Sequence, residues 1–216
     1  PQINDWVMGF FLDGESAQAP VMMGILTGFV SELPNTVPGS QVPNTELNDI
    51  YNKLTGGANG PGFKTWVIDS TISGHFGVGP DPESPLGPVP EWWAAGANEK
   101  PGCGLYNDKY IFYLNGFKFD MITNGDIYLH NSLAASFPGS FQNLGDYTAP
   151  YPNQLNHSWT LTEGAENTIT ISNGAFIGFY TGVNTYRILD LTDSTMFLQY
   201  GHHAGGLKWY LKLKTE

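Results

Sequence analysis

Hydrophobic and polar positions alternate most cleanly at the end of the chain. Leu207, Trp209, Leu211 and Leu213 fall on one side, and Lys208, Tyr210, Lys212 and Lys214 on the other. A period of two with one charged face is the pattern of a half-buried antiparallel strand. The last 60 residues read as a meander of strands over 157–162, 167–172, 175–180, 185–191, 195–200 and 206–214, punctuated by Asn173-Gly174, Gly182 and Asp193-Ser194. Upstream, strands are predicted at Lys64–Asp69, Lys109–Leu114, Phe117–Met121 and Asp126–His130. Asn115-Gly116 and Asn124-Gly125 stand between them, and Asn-Gly is a strong hairpin signal. Near the N-terminus, Trp6–Leu12 and Val21–Leu26 flank Asp13-Gly14-Glu15, and Pro20 opens the second run, so a β-hairpin is predicted.

One helix interrupts the strands. Leu47, Ile50, Tyr51 and Leu54 form an apolar face at helical spacing, with Asn44 or Thr45 as cap and Gly56 as stop. The expected organisation is a hairpin segment over 1–34, a Pro/Gly-rich linker with that helix over 35–63, and an antiparallel β-domain over 64–216. The fold class is all-β, as an antiparallel β-sandwich of jelly-roll type or a meander barrel. The pattern leaves both open. From Ser70 to Asp108 runs a long loop with six prolines (80, 82, 85, 88, 90 and 101) together with Trp92, Trp93 and Tyr106. A loop of that length is usually functional or disordered, and its aromatic content predicts an ordered binding loop. Gly74-His75-Phe76-Gly77-Val78-Gly79 reads as a tight glycine-rich turn, because no helix follows that would make it a phosphate cradle.

Charge changes the range of partners. Against 20 acidic residues stand 9 basic ones, a formal net charge of −11, and the densest basic run is only Lys208, Lys212 and Lys214. Phosphate backbones need several cations on one face, so no nucleic acid partner is expected. The longest apolar run, Val21–Leu26, is too short for membrane insertion. The chain opens on Pro1, as in a processed protein or a fragment. The single Cys103 forms no intramolecular disulfide and reads as a small buried hydrophobe. Charged residues make up 13% and aromatic ones 14%, with 27 Gly and 15 Pro. Rigid loops carrying rings and few charges suit neutral, flat-faced ligands, since aromatic faces pack on the C–H faces of pyranoses.

The candidate ligand-binding residues are therefore Trp66, Trp92, Trp93 and Tyr106 as stacking rings, with Glu99, Asn124 and Asp126 as hydroxyl partners. Glu91, Asn98 and Asn107 lie in the same loop. A glycosidase needs two carboxylates at a defined separation, and Glu91, Glu99, Asp120 and Asp126 are the candidates. No metal site is expected: His75, His130, His157, His202 and His203 show no ligand spacing, and the adjacent His202-His203 reads as a solvent-exposed turn. Hard oxygen ligands at Asn124 and Asp126 leave Ca²⁺ as the one cofactor to consider beside none.

Two stretches resemble known families. Trp6–Glu15 with Gln18–Gly24, inside 5–34, resembles part of the OB-fold of contractile-tail phage baseplate hub proteins, a strand ending in Asp-Gly followed by a Pro-initiated strand. Over about 64–214, eight pieces stand in order: Lys64-Thr65-Trp66-Val67, Gly74–Pro80, Glu91-Trp92-Trp93-Ala94-Ala95, Glu99-Lys100, Gly104–Asp108, Thr123–Asp126, Tyr186–Leu189 and Trp209–Leu213. Together they resemble the C-terminal β-domain of surface glycan-binding lipoproteins from Bacteroidota polysaccharide-utilisation systems. That resemblance implies polysaccharide or oligosaccharide binding at an extracellular, cell-surface or virion location. The alternatives are a glycan-cleaving enzyme, such as a glycoside hydrolase or phage depolymerase, and a structural phage-tail component. In the last, residues 1–34 would pair with another copy through an exposed β-edge.

Overall fold

The computed structural model describes residues 6–11, 20–26 and 45–216, with side chains from Asp49 onward. The chain divides into two compact units, Pro1–Asn48 and Asp49–Glu216. In the first, β1 (Trp6–Phe11) pairs antiparallel with β2 (Pro20–Leu26). The Asp13-Gly14-Glu15 turn and the Asn44 cap lie outside the described residues.

The second unit is all-β apart from the end of one α-helix, Thr45–Thr55. Its strands are β3 (Phe63–Ile68), β4 (Phe76–Pro80), β5 (Trp93–Ala94), β6 (Lys109–Tyr113), β7 (Lys118–Ile122), β8 (Gly125–Leu129), β9 (Phe141–Asn143), β10 (Asp146–Tyr151), β11 (Gln154–Thr162), β12 (Thr168–Ile171), β13 (Thr185–Leu191), β14 (Thr195–Tyr200) and β15 (Leu207–Thr215). Eight of them, β3, β6, β7, β11, β12, β13, β14 and β15, pair antiparallel in chain order, and β15 closes onto β3 through Leu213–Ile68 and Thr215–Trp66. This is a meander barrel, not a sandwich. Closure removes the sheet edges that a sandwich leaves open.

Inward positions follow the period of two. Trp66, Ile68, Tyr110, Phe112, Phe119, Met121, Trp159, Ile169, Ile171, Leu198, Leu211 and Leu213 are all buried. Eight strands leave an interior that side chains fill, and here aromatic rings do much of the filling. Phe112, Phe119 and Trp159 meet edge to face at 5.0–5.5 Å.

The barrel has two unlike ends. Short turns at 114–117, 163–167 and 192–194 lie at one rim, beside the point where β3 begins. All four long connections, 69–108, 123–153, 172–184 and 201–206, leave from the other. The helix packs at the short-turn rim. Tyr51 lies 5.4 Å from Trp159 and 5.5 Å from Phe117, and the Leu54 carbonyl accepts the Trp66 indole N–H at 3.0 Å. Gly56, at φ 79°, then ends the helix. Residues 49–63 thus lie in the same compact unit as the barrel.

Three further expectations change. The glycine-rich 74–80 stretch contains strand β4, which lies on β15 beyond the end of β3. Its glycines serve packing: a Cβ on Gly77 would stand 2.5 Å from Pro90 Cβ, and one on Gly79 2.8 Å from the Val89 carbonyl. Residues 175–180 form no ladder. Ala175, Phe176, Ile177 and Phe179 are buried in an irregular segment, with Gly178 at φ 72° against Leu211. That run is apolar because it is covered on all sides, not because it is a strand. Finally, Asn124-Gly125 joins no hairpin; β8 leaves β7 to build a three-stranded sheet, β8-β10-β9, before the chain returns as β11.

Candidate functional site

The 69–108 connection carries most of the residues singled out in the sequence. Its backbone is held on β4 by Trp92 N–H to Val78 O at 3.0 Å and Ala95 N–H to Phe76 O at 2.8 Å. On extended backbone, consecutive side chains point to opposite faces. Trp92 is accordingly 57% exposed, whereas Trp93 packs edge-on against Phe76 at 5.5 Å and carries Lys100 Nζ over its ring at 4.9 Å. The two indoles do not form one platform. Leu86 and Val89 of the same connection are also exposed. Arg187 of β13 anchors the connection through Glu83 at 2.8 Å and also bonds Glu166 at 2.8 Å.

Trp66 is a correction. It is fully buried in the barrel, so it presents no face to a ligand. Tyr106 is a clasp. The Ile72 carbonyl at 2.7 Å requires His75 Nδ1 to donate, so the neutral ring accepts the Tyr106 hydroxyl proton at Nε2, also at 2.7 Å. The same hydroxyl oxygen accepts the Lys100 N–H at 3.0 Å. Burial lowers the His75 pKa, in keeping with that neutral state.

The polar candidates are engaged separately. Glu99 accepts the Gly96 N–H, Asn98 accepts the Ser70 hydroxyl at 2.9 Å, and Asn124 donates to the Asn107 carbonyl at 2.5 Å. Asp126 lies against Gly104, where a Cβ would stand 2.4 Å from its Oδ1. Glu99, Asn124 and Asp126 therefore shape loops and are not gathered around Trp92. Among Glu91, Glu99, Asp120 and Asp126, no hydrogen bond joins one to another. Asp120 accepts from the Tyr113 hydroxyl at 3.0 Å and the Asn156 N–H at 2.7 Å.

The carboxyl that Asp126 influences is Asp108, which the sequence did not single out. Both Oδ1 atoms are buried without a protein partner. Burial raises both pKa values, Asp108 well above the ordinary range, with the Asp126 charge adding to the effect and the Tyr110 hydroxyl bond opposing it. Among the described residues, no three His, Cys, Asp or Glu side chains gather as metal ligands. Nor is any described helix long and apolar enough to cross a membrane.

A second cluster was invisible in the sequence. His202 is buried, not exposed as its turn suggested, and its Nε2 lies 3.2 Å from His130 Nδ1. Ser132 Oγ stands 2.9 Å from His130 Nδ1, 3.3 Å from His202 Nε2 and 3.0 Å from His203 Nε2. Backbone N–H groups of Ser132 and Ala204 point at His130 Nδ1 and His202 Nδ1, each at 3.2 Å. With its Nδ1 accepting, neutral His202 carries its proton on Nε2, which gives a proton network in place of a metal-binding lone pair. Only His202-His203 hinted at this, and their partner lies 70 residues away. No family model matches the chain, and no curated protein matches it either.

Proposed function

We propose that this chain is a carbohydrate-recognition module that stacks a sugar ring on Trp92. One observation carries the reading: the indole is 57% exposed on backbone pinned to β4. An exposed ring on mobile backbone would be ordinary. A pre-positioned one binds without an ordering cost. Its free face leaves on the order of 100 Å² of apolar surface, worth about 2–3 kcal/mol if a ligand covers it. The low content of charge favours a neutral, hydroxyl-rich partner, a polysaccharide or oligosaccharide met outside the cell or on a particle surface.

The test incubates the chain with a panel of soluble polysaccharides and reads gel retardation and new reducing ends together. Retardation without new ends, weakened in Trp92→Ala, is the expected result. New reducing ends would replace this reading with a hydrolase, and retardation unchanged in Trp92→Ala would move the site elsewhere.

A further inference from the structure

The 172–184 connection, at the long-loop rim, encloses a cleft of about 100 Å³ with Tyr151, Asn173, Gly174, Phe176, Tyr180 and Asn184 in its wall. At about 10–15 Å³ per water-sized group, that space takes several hydroxyls. One side is formed by the half-buried rings of Tyr151 and Tyr180, backed by the buried Phe176, which lies 4.5 Å from Tyr180 and 6.0 Å from Tyr151, and by Phe137 at 5.6 Å from Tyr180.

The other side is amide and carbonyl. The Tyr151 hydroxyl donates to Gly174 O at 2.5 Å, and Asn184 Nδ2 donates to Ile171 O at 2.5 Å and approaches Asn173 Oδ1 at 3.3 Å. These bonds hold the wall in place. They leave the Tyr180 hydroxyl, Asn173 Nδ2 and Asn184 Oδ1 without a hydrogen-bond partner among the described residues. Those groups supply both donors and acceptors beside a ring face, which is what a pyranose edge requires. No carboxylate, lysine or arginine lines the cleft.

We propose that this cleft is a second sugar subsite, taking one uncharged pyranose unit. The inference rests on the carbohydrate reading of the chain but not on Trp92. An anionic sugar finds no cation in the wall, and a planar apolar ligand would leave the amides unpaired, which costs about 1–3 kcal/mol per buried group.

The experiment measures affinity for three neutral polysaccharides (a β-glucan, a galactan and a mannan) and one uronate-rich polysaccharide. It compares the full chain with Trp92→Ala, with Tyr180→Phe, with Tyr180→Phe/Asn173→Ala, and with all three changes together. Tyr180→Phe keeps the ring that packs on Phe176, so folding is preserved in at least one variant. The expected result is binding of a neutral polymer in preference to the uronate. Losing two hydrogen bonds weakens it on the order of tenfold. A residual affinity in Trp92→Ala disappears in the triple variant. Unchanged affinity in both Tyr180 variants overturns the cleft and leaves Trp92 standing. Loss in those variants with none in Trp92→Ala supports the cleft and removes the indole. Equal or tighter uronate binding overturns the neutral-ligand assignment, and no binding by the native chain overturns both readings.

Discussion

His130 Nδ1 and His202 Nε2 face each other at 3.2 Å, although 72 residues separate them in the chain. They tie the 201–206 connection to the 3-10 turn that follows β8. Two imidazoles at that separation cannot both carry a proton on the facing nitrogens. The contact therefore belongs to the neutral state.

Burial, with His130 and His203 beside it, lowers the His202 pKa to about 4, and burial also lowers that of His130 despite the nearby Asp146 charge. An unfolded imidazole titrates near 6.5. Between about pH 6.5 and 4 the unfolded chain thus binds more protons, so this contribution is full above the window and falls as pH drops through it. Thermal melts across that range should show a shallower decline for His202→Asn, whose carbonyl can still accept from Ala204 N–H. Parallel curves for the two proteins would sink the assignment.

Asp108 has the opposite dependence. Its raised pKa means the folded chain holds a proton that the unfolded chain releases, so stability is lost as pH rises from the ordinary carboxylate range toward the raised value. Asp108→Asn removes that loss while an oxygen remains to accept from Tyr110. Its denaturation midpoint should exceed the native one at pH 8 by more than at pH 5. A variant less stable than the native chain at pH 8 would sink the assignment of a buried, neutral Asp108.

Adjacent tryptophans should respond differently. Trp92→Ala removes an exposed ring and should shift stability by no more than about 0.5 kcal/mol. Trp93→Ala empties the space between Phe76 and Lys100 and should cost about 2 kcal/mol or more. At this chain size that is a fall of several degrees in Tm, roughly 2–4 °C per kcal/mol. Equal shifts in calorimetry would contradict the opposite placement of the two rings.

Cys103 is 3% exposed, and burial pushes its thiol up to about 11. A thiolate-selective reagent at pH 8 should leave the native chain unmodified and label it at the rate of unfolding. Rapid labelling of the folded protein would place the thiol at the surface.

The sequence showed clearly the strands whose two faces differ. Residues 207–214 alternate, and the structure has a strand over Leu207–Thr215. It showed least where backbone packs against backbone. Gly77 and Gly79 look like turn residues, yet they sit in β4 because Pro90 and Val89 approach too closely for any side chain. Tyr210 reads as outward-facing, yet it is buried, with Gln199 donating to its hydroxyl and Gly79 and Phe197 beside its ring. The candidate site fared similarly. Trp92 and Trp93 read together as stacking rings, but the backbone pairing with β4 turns them to opposite faces, and the pairings Asp108–Asp126 and His130–His202 join segments with no shared local pattern. Such pairings depend on barrel register, and a linear sequence carries no distance between strands.

Pairing of Thr215 with Trp66 has one further consequence. Glu216 N–H bonds the Thr65 carbonyl at 3.1 Å, so the barrel starts and finishes side by side, away from the four long connections. Anything fused after Glu216 departs from the short-turn rim, beside Thr65. A tether there would hold the barrel like a cup by its base, with the Trp92 connection and the tyrosine cleft at the opposite end.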